Sequence, residues 1–371
     1  MRRKGWLGAS ATIGGGLALA LIGASPAPAV MRASQGASGP TPTPVSTSTP
    51  QPTPTSGPGL VFVANADSGP VTAYNPASSG AVTPARTVNN PQNPNTVWDP
   101  WGVAFDSSGN MFVQSFLSDA TTFVYPPGAG STSAPSRIFQ ANEPDNNAIA
   151  VDSSGYEYVV GGESGPTIAV EAPGASGVAS NLYHVPPLRE IPLPGGFNPW
   201  PSILSVDSQN EVLAAVTTAQ GNSIQVFSGG AYGGTNPLRV ISGPDTGLGS
   251  CSAPSPCTEL SITYSSLTGE IYAAVSDGTS TRILVFAGNA SGDAAPIQSI
   301  EGPNTGLAGN VITGIAVSPA DATIYAMVKG SEFAAGQVNA YASYAQGNTT
   351  PLRSFTDASS GFADAEGIAI H

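Results

Sequence analysis

The side chains that can hold a cation or a small ligand in this chain recur at a regular interval. Trp101, Asn147, Ser202, Glu259, Thr313 and Glu366 each stand one residue before a short apolar segment. Two positions further upstream lie Asp99, Asp145, Trp200, Cys257, Val311 and Asp364. Gathered into one ring, Asp99, Asp145, Glu259, Asp364 and Glu366 offer the oxygen donors that Ca²⁺ takes, about six to eight at a time. Trp101 and Trp200 offer flat faces for a sugar or another apolar ligand, with Asn147 and Thr313 as polar neighbours. The competing expectation is a solvated polar lip that binds nothing.

Other chemistry is poorly supplied. Only two histidines occur, His184 and His371, and neither has the Ser and Asp context of a triad. No glycine-rich phosphate loop follows a strand and opens a helix. A carboxylate pair of the glycosidase kind remains available among Asp99, Asp145, Glu259, Asp364 and Glu366. Asp106, Asp152 and Asp207 also repeat, but each precedes a Ser-containing turn, where an Asx side chain closing the turn is the simpler expectation.

The elements that would position the ring are repeated strands. Gly102-Val103-Ala104-Phe105-Asp106 returns as Ala148-Ile149-Ala150-Val151-Asp152, Ile203-Leu204-Ser205-Val206-Asp207, Leu260-Ser261-Ile262-Thr263-Tyr264, Gly314-Ile315-Ala316-Val317-Ser318 and Gly367-Ile368-Ala369-Ile370-His371. The last positions of these copies are 46, 55, 57, 54 and 53 residues apart. After each comes a turn such as Ser107-Ser108-Gly109, then a second strand such as Met111-Phe112-Val113 or Ile324-Tyr325-Ala326-Met327. A third strand follows, as in Thr122-Phe123-Val124-Tyr125 or Ile283-Leu284-Val285-Phe286. A fourth begins at proline, as in Pro135-Ser136-Arg137-Ile138 and Pro351-Leu352-Arg353-Ser354. Proline suits an outermost strand, where an N–H can go unpaired. The third copy, Pro186-Pro187-Leu188-Arg189-Glu190, departs from this pattern and predicts an irregular edge. The fourth innermost strand, Leu260 to Tyr264, is the most degenerate.

Four strands per repeat of about 50 residues is the signature of a β-propeller. The repeats begin on a second strand at Leu60 and stop on a first strand at His371. The C-terminal strand therefore completes the first blade, and six first strands with six second strands make six blades. The expected fold is all-β: a six-bladed propeller of four-stranded antiparallel blades over residues 60–371. The 45 Gly and 35 Pro fit many short strands and turns and exclude a helical protein.

The repeat resembles the NHL-repeat family of six-bladed propellers. The resemblance rests on Gly-Ile/Val-Ala-Val/Phe-Asp, the Ser-Ser-Gly turn, the aromatic second strand and the Val-Phe/Tyr third strand, and covers residues 60–371. A more distant likeness is to the gluconolactonase/regucalcin-like propellers, which bind a divalent metal through Glu, Asn and Asp at a channel mouth. That likeness implies such parts for Asn147 and Glu366. The His-rich zinc sites of the amidating lyases that share the repeat are absent.

Upstream of the repeats the sequence changes character. Arg2, Arg3 and Lys4, the apolar stretch Ala9 to Ala24 and Ala27-Pro28-Ala29 read as a signal peptide over 1–29. The alternative, an uncleaved anchor, has a short and Gly-rich span. Residues 30–59 are a Pro/Thr/Ser-rich linker too poor in apolar residues to fold. Export brings an oxidising compartment, so Cys251 and Cys257 are expected to form a disulfide rather than half of a metal site. The mature chain has 8 cations against 24 acids, a net −16. That balance excludes nucleic acid and anionic membrane surfaces as partners. Asn289-Ala290-Ser291 and Asn348-Thr349-Thr350 match the glycosylation acceptor pattern.

These readings predict a secreted or cell-surface monomer with no transmembrane span in the mature chain. Its partner would be a small molecule, a glycan or a protein, bound at a channel mouth or across a blade face. The alternative function is a divalent-metal-dependent hydrolase or lactonase. Ca²⁺ is the one cofactor the ring suggests.

Overall fold

A computed structural model describes residues 59–371, except 68, 90–97, 116–120, 141–147, 162–166, 178–185, 194–203, 219–220, 250–258, 277–279, 331–334 and 361. The strands in chain order are β1 (Val61–Asn65), β2 (Val71–Tyr74), β3 (Gly80–Val82), β4 (Arg86–Val88), β5 (Pro100–Phe105), β6 (Met111–Ser115), β7 (Thr121–Tyr125), β8 (Arg137–Gln140), β9 (Ile149–Val151), β10 (Glu157–Gly161), β11 (Thr167–Glu171) and β12 (Arg189–Pro192). They continue as β13 (Leu204–Val206), β14 (Val212–Thr218), β15 (Gly221–Phe227), β16 (Arg239–Ile241), β17 (Glu259–Ser265), β18 (Glu270–Ser276), β19 (Thr281–Ala287), β20 (Gln298–Ile300), β21 (Val311–Val317), β22 (Ile324–Lys329), β23 (Gly336–Tyr341), β24 (Arg353–Asp357) and β25 (Ala365–Ile370).

They form six antiparallel blades. Blade 1 is β25-β1-β2-β4, and blades 2 to 6 run in chain order from β5 to β24. The C-terminal strand is thus the innermost strand of the first blade, with Val61 opposite Ile370 and Val63 opposite Ile368. Second and third strands are buried on both faces, which is why segments such as Val61-Phe62-Val63-Ala64 and Ile271-Tyr272-Ala273-Ala274-Val275 read as apolar runs rather than alternating ones. Innermost strands of neighbouring blades come so close that Gly367 admits no side chain. A Cβ there would meet the Trp101 carbonyl oxygen at 2.2 Å. This is a steric cause for the glycine that heads three of the repeats.

One local expectation is corrected. The third blade's edge is regular: β12 pairs with β11 from Val170–Arg189 to Thr167–Pro192. The degenerate fourth innermost strand is present as expected: it is β17, matched to β18 at seven successive positions. One feature has no counterpart in the repeat. β3 leaves blade 1 and pairs in parallel with β24, adding a fifth strand to blade 6. Single parallel bridges do the same at other seams, Phe139 with Gly177, Ile241 with Gly292 and Ile300 with Gly347. Each covers part of an exposed strand edge with the next blade's loop.

The repeated aspartates close turns. Asp152 Oδ1 accepts the N–H groups of Ser154 at 2.8 Å and Tyr156 at 2.9 Å, and Oδ2 accepts the Tyr158 hydroxyl at 3.1 Å. Asp106 and Asp207 hold the N–H groups two and four residues on in the same way.

Candidate functional site

The innermost strands surround a central cavity of about 340 Å³. Its wall is built from the same three positions of every blade, from Val103-Ala104-Phe105 round to Ile368-Ala369-Ile370. Ser205, Thr263, Tyr264, Ser265 and Ser266, from blades 4 and 5, are the polar exceptions. Exposure rises along each strand: Ile149 and Ile315 are buried, whereas Val151 and Val317 are half-buried. The cavity therefore opens at the end where the strands finish. Part of the polar wall is already bonded, since Tyr264 donates its N–H to Ser205 Oγ at 2.9 Å and its ring hydroxyl lies 3.1 Å from Ser208 Oγ.

The described members of the ring predicted from sequence lie at the opposite end, where the strands begin. Asn147, Asp145, Trp200, Ser202, Cys251 and Cys257 lie outside the described residues, and of Glu259 only the backbone, opening β17, belongs to them. Asp99 is buried and tied locally. Its Oδ1 accepts the Asp67 N–H at 2.6 Å, its Oδ2 accepts the Trp101 indole N–H at 3.2 Å, and its own N–H goes to Ser115 Oγ. Thr313 is buried between strands: its hydroxyl donates to the Ala365 carbonyl at 3.4 Å, and its carbonyl accepts the Ser261 hydroxyl. Asp364 is half-buried, and its carbonyl accepts the Ala66 N–H at 2.7 Å.

Glu366 meets a residue the sequence reading left aside. Lys329, its side chain fully buried at the end of β22, places Nζ 2.6 Å from Glu366 Oε1 and 3.3 Å from the Ala365 carbonyl. An ammonium in contact neutralises the carboxylate and repels a second cation. Among the described residues no three His, Cys, Asp or Glu side chains gather as a metal site. Their donor set does not fit Ca²⁺. The only lysine after Lys4 was the available signal, because a buried cation in an acidic chain needs a carboxylate partner.

A second pattern sits on the rim. The residue after the fourth-strand proline is exposed in four successive blades: Leu188, Leu238, Ile297 and Leu352 are each 55–58% exposed. Each backbone N–H is bonded to the third strand, at 2.7 to 2.9 Å, so the side chains are held outward at equivalent places. Blades 1 and 2 carry Ala85 and Ser136 there. Two exposed tyrosines, Tyr232 and Tyr344, lie in the loops just before these strands in blades 4 and 6.

No family model and no curated protein sequence matches this chain. Solved structures do. A protein of unknown function from Bacteroides caccae superposes with a TM-score of 0.52 at 9% identity, over 84% of this chain and 98% of that one. The major Malassezia sympodialis allergen Mala s 1 follows at 0.47, with 15% identity over 72% and 83%. The Myceliophteria thermophila Cps50 (Swd1) β-propeller domain gives 0.37 and 11%, over 71% and 88%. At these identities the likeness concerns architecture alone. The chain is a six-bladed β-propeller.

Proposed function

We propose that this chain is an exported propeller, secreted or held at the cell surface, that binds another protein across the outer edges of blades 3 to 6. The observation that carries this reading is the arc of Leu188, Leu238, Ile297 and Leu352. Isolated exposed aliphatic residues need no explanation, but the same position exposed in four consecutive blades is a repeated surface. The leader-like N-terminus, the Pro/Thr-rich segment and the likeness to NHL repeats support export and a recognition role. The hydrolase alternative is weakened by Lys329 on Glu366 and by the local bonding of Asp99.

Fractionation of the producing cells tests both halves. The protein is expected outside the cytoplasm with Val30 as its first residue, and saturably retained on its own envelope or extracellular fraction. Replacing all four rim residues by Ser is expected to weaken retention about tenfold or more while leaving the melting temperature within about 2 °C, because the side chains are already exposed. Cytoplasmic recovery with Met1 intact would overturn export. Retention unchanged in the fourfold variant would overturn the rim as the binding surface.

A further inference from the structure

The seams between blades share a latch, and one seam lacks it. Near the start of the fourth strand a long side chain crosses to the turn after the next blade's third strand and donates to a backbone carbonyl. Arg137 reaches Ala175 at 2.7 Å, Arg239 reaches Gly288 at 2.8 Å, and Gln298 reaches Ala345 at 2.5 Å. Arg189 reaches Gly229, and Arg353 reaches Pro76. These five latches close the seams from blade 2 round to blade 1. At the seam between blades 1 and 2 the equivalent residue is Arg86. Its guanidinium lies over the Phe62 ring, 5.7 Å from the centroid, and donates to no protein oxygen among the described residues.

A cavity of about 260 Å³ lies where that latch would close. Phe62, Phe105, Met111, Pro126 and Pro127 supply apolar walls, and Arg86 supplies the charge. The His371 ring stacks on Phe105, with centroids 4.7 Å apart and planes inclined by 24°. Gly109, at φ 82°, leaves room for that ring: a Cβ would come 3.0 Å from His371 Cε1.

We infer that this seam is a binding site for a small carboxylate carried on a single flat apolar ring. A guanidinium stacked on one face and, among the described residues, bonded to no protein oxygen at its edge presents the fork of donors that a carboxylate matches in two parallel hydrogen bonds. The apolar walls favour a ring over a bare anion, and the volume admits one ring rather than a drug-sized ligand. The chain's strong negative charge opposes anions at long range, so the site selects by contact and not by steering.

Phenylacetate is a suitable probe, titrated into the full chain and followed by NMR. Saturable shifts are expected at Phe62, Phe105 and Met111, with a dissociation constant near about 1 mM. Phenylacetamide and acetate are each expected to bind about tenfold more weakly or worse, the first for lack of charge and the second for lack of a ring. Arg86→Gln should lose the same factor, while Arg353→Gln, which opens a different seam, should not. Absence of saturable shifts at about 20 mM phenylacetate overturns the site. So does equal binding of phenylacetamide, an assay that needs no variant to fold.

Discussion

Two carboxylates face one another in blade 3, and they give the molecule a pH response. Glu157 and Glu171 are directly opposed across β10 and β11, and both are buried. Burial pushes each up to about 7, and for Glu171 the neighbouring Glu157 charge adds to the rise. Arg137 pairs with Glu157 and lowers the cost of its charge, whereas Glu171 Oε1 accepts no hydrogen bond. Glu171, without a counter-ion of this kind, is the harder of the two to ionise beside Glu157. A carboxyl raised in the folded state stabilises it fully below the unfolded value of 4.5, and that stability drains away as pH rises to about 7. The melting temperature is expected to fall by about 2–4 °C per kcal/mol lost across that window. Glu171→Gln should shrink the fall, leaving the share that burial of Glu157 contributes, and raise stability at pH 8. A melting temperature that climbs from pH 5 to pH 7.5 in the wild type, with Glu171→Gln unchanged in slope, would sink this account.

At the scale of the element, the fourth strand acts as a clasp. Arg353 reaches the Pro76 carbonyl and the Tyr325 hydroxyl, the latter at 2.7 Å, and lies over the Tyr325 ring. Arg353→Ala should therefore cost about 1–3 kcal/mol in urea unfolding, since it removes charged hydrogen bonds to the Pro76 carbonyl and the Tyr325 hydroxyl as well as the ring contact, leaving Tyr325 as the carbonyl's donor at 3.3 Å. Arg86→Ala, at the seam without a latch, should cost less than about 1 kcal/mol. Equal costs would mean that the latch adds nothing to seam stability. The strands themselves were legible because propeller repeats impose a period, and turn-closing Asp106, Asp152 and Asp207 could be read from their place before Ser-Gly turns. The clasp was half legible: an Arg recurs two residues after Pro84, Pro135, Pro187, Pro237 and Pro351, yet its target is a backbone carbonyl, which leaves no mark in sequence. β3 was not legible, because its partner β24 is about 275 residues away and the pairing is between backbones. The predicted ring met a similar limit. Spacing put Asp99, Thr313 and Glu366 at the heads of innermost strands but said nothing of the groups that engage them: Asp67 and Trp101 on Asp99, Ala365 and Ser261 on Thr313, and Lys329 on Glu366.

For the whole molecule the decisive contact is the one that joins the two ends of the repeat array. The other blades connect their first and second strands through a turn, such as Asp106 to Asn110 between β5 and β6. Blade 1 makes the same pairing between β25 and β1 without that covalent turn. Leu60 N–H donates to the His371 carbonyl at 2.7 Å, and His371 N–H returns a bond to Leu60 at 3.1 Å. β25 also packs on the innermost strands of both neighbouring blades, with Ile368 and Ala365 in one apolar cluster and Ala369 against another. Its loss would expose the inner edge of β1 and two blade faces together. Because each blade is buried only by its neighbours, that opening is felt round the ring. A chain ending at Asp364 is therefore expected to lose its sharp thermal transition and to aggregate. Connecting His371 to Leu60 by a copy of the Ser107–Gly109 turn, with new ends opened in another blade's first turn, should keep a sharp transition at or above the original temperature, since the pairing then closes a short loop. If the truncated chain melts as cooperatively as the intact one, closure is not what holds the ring. If the permuted chain fails to fold although the truncated chain does, the register between β25 and β1 is not the one described.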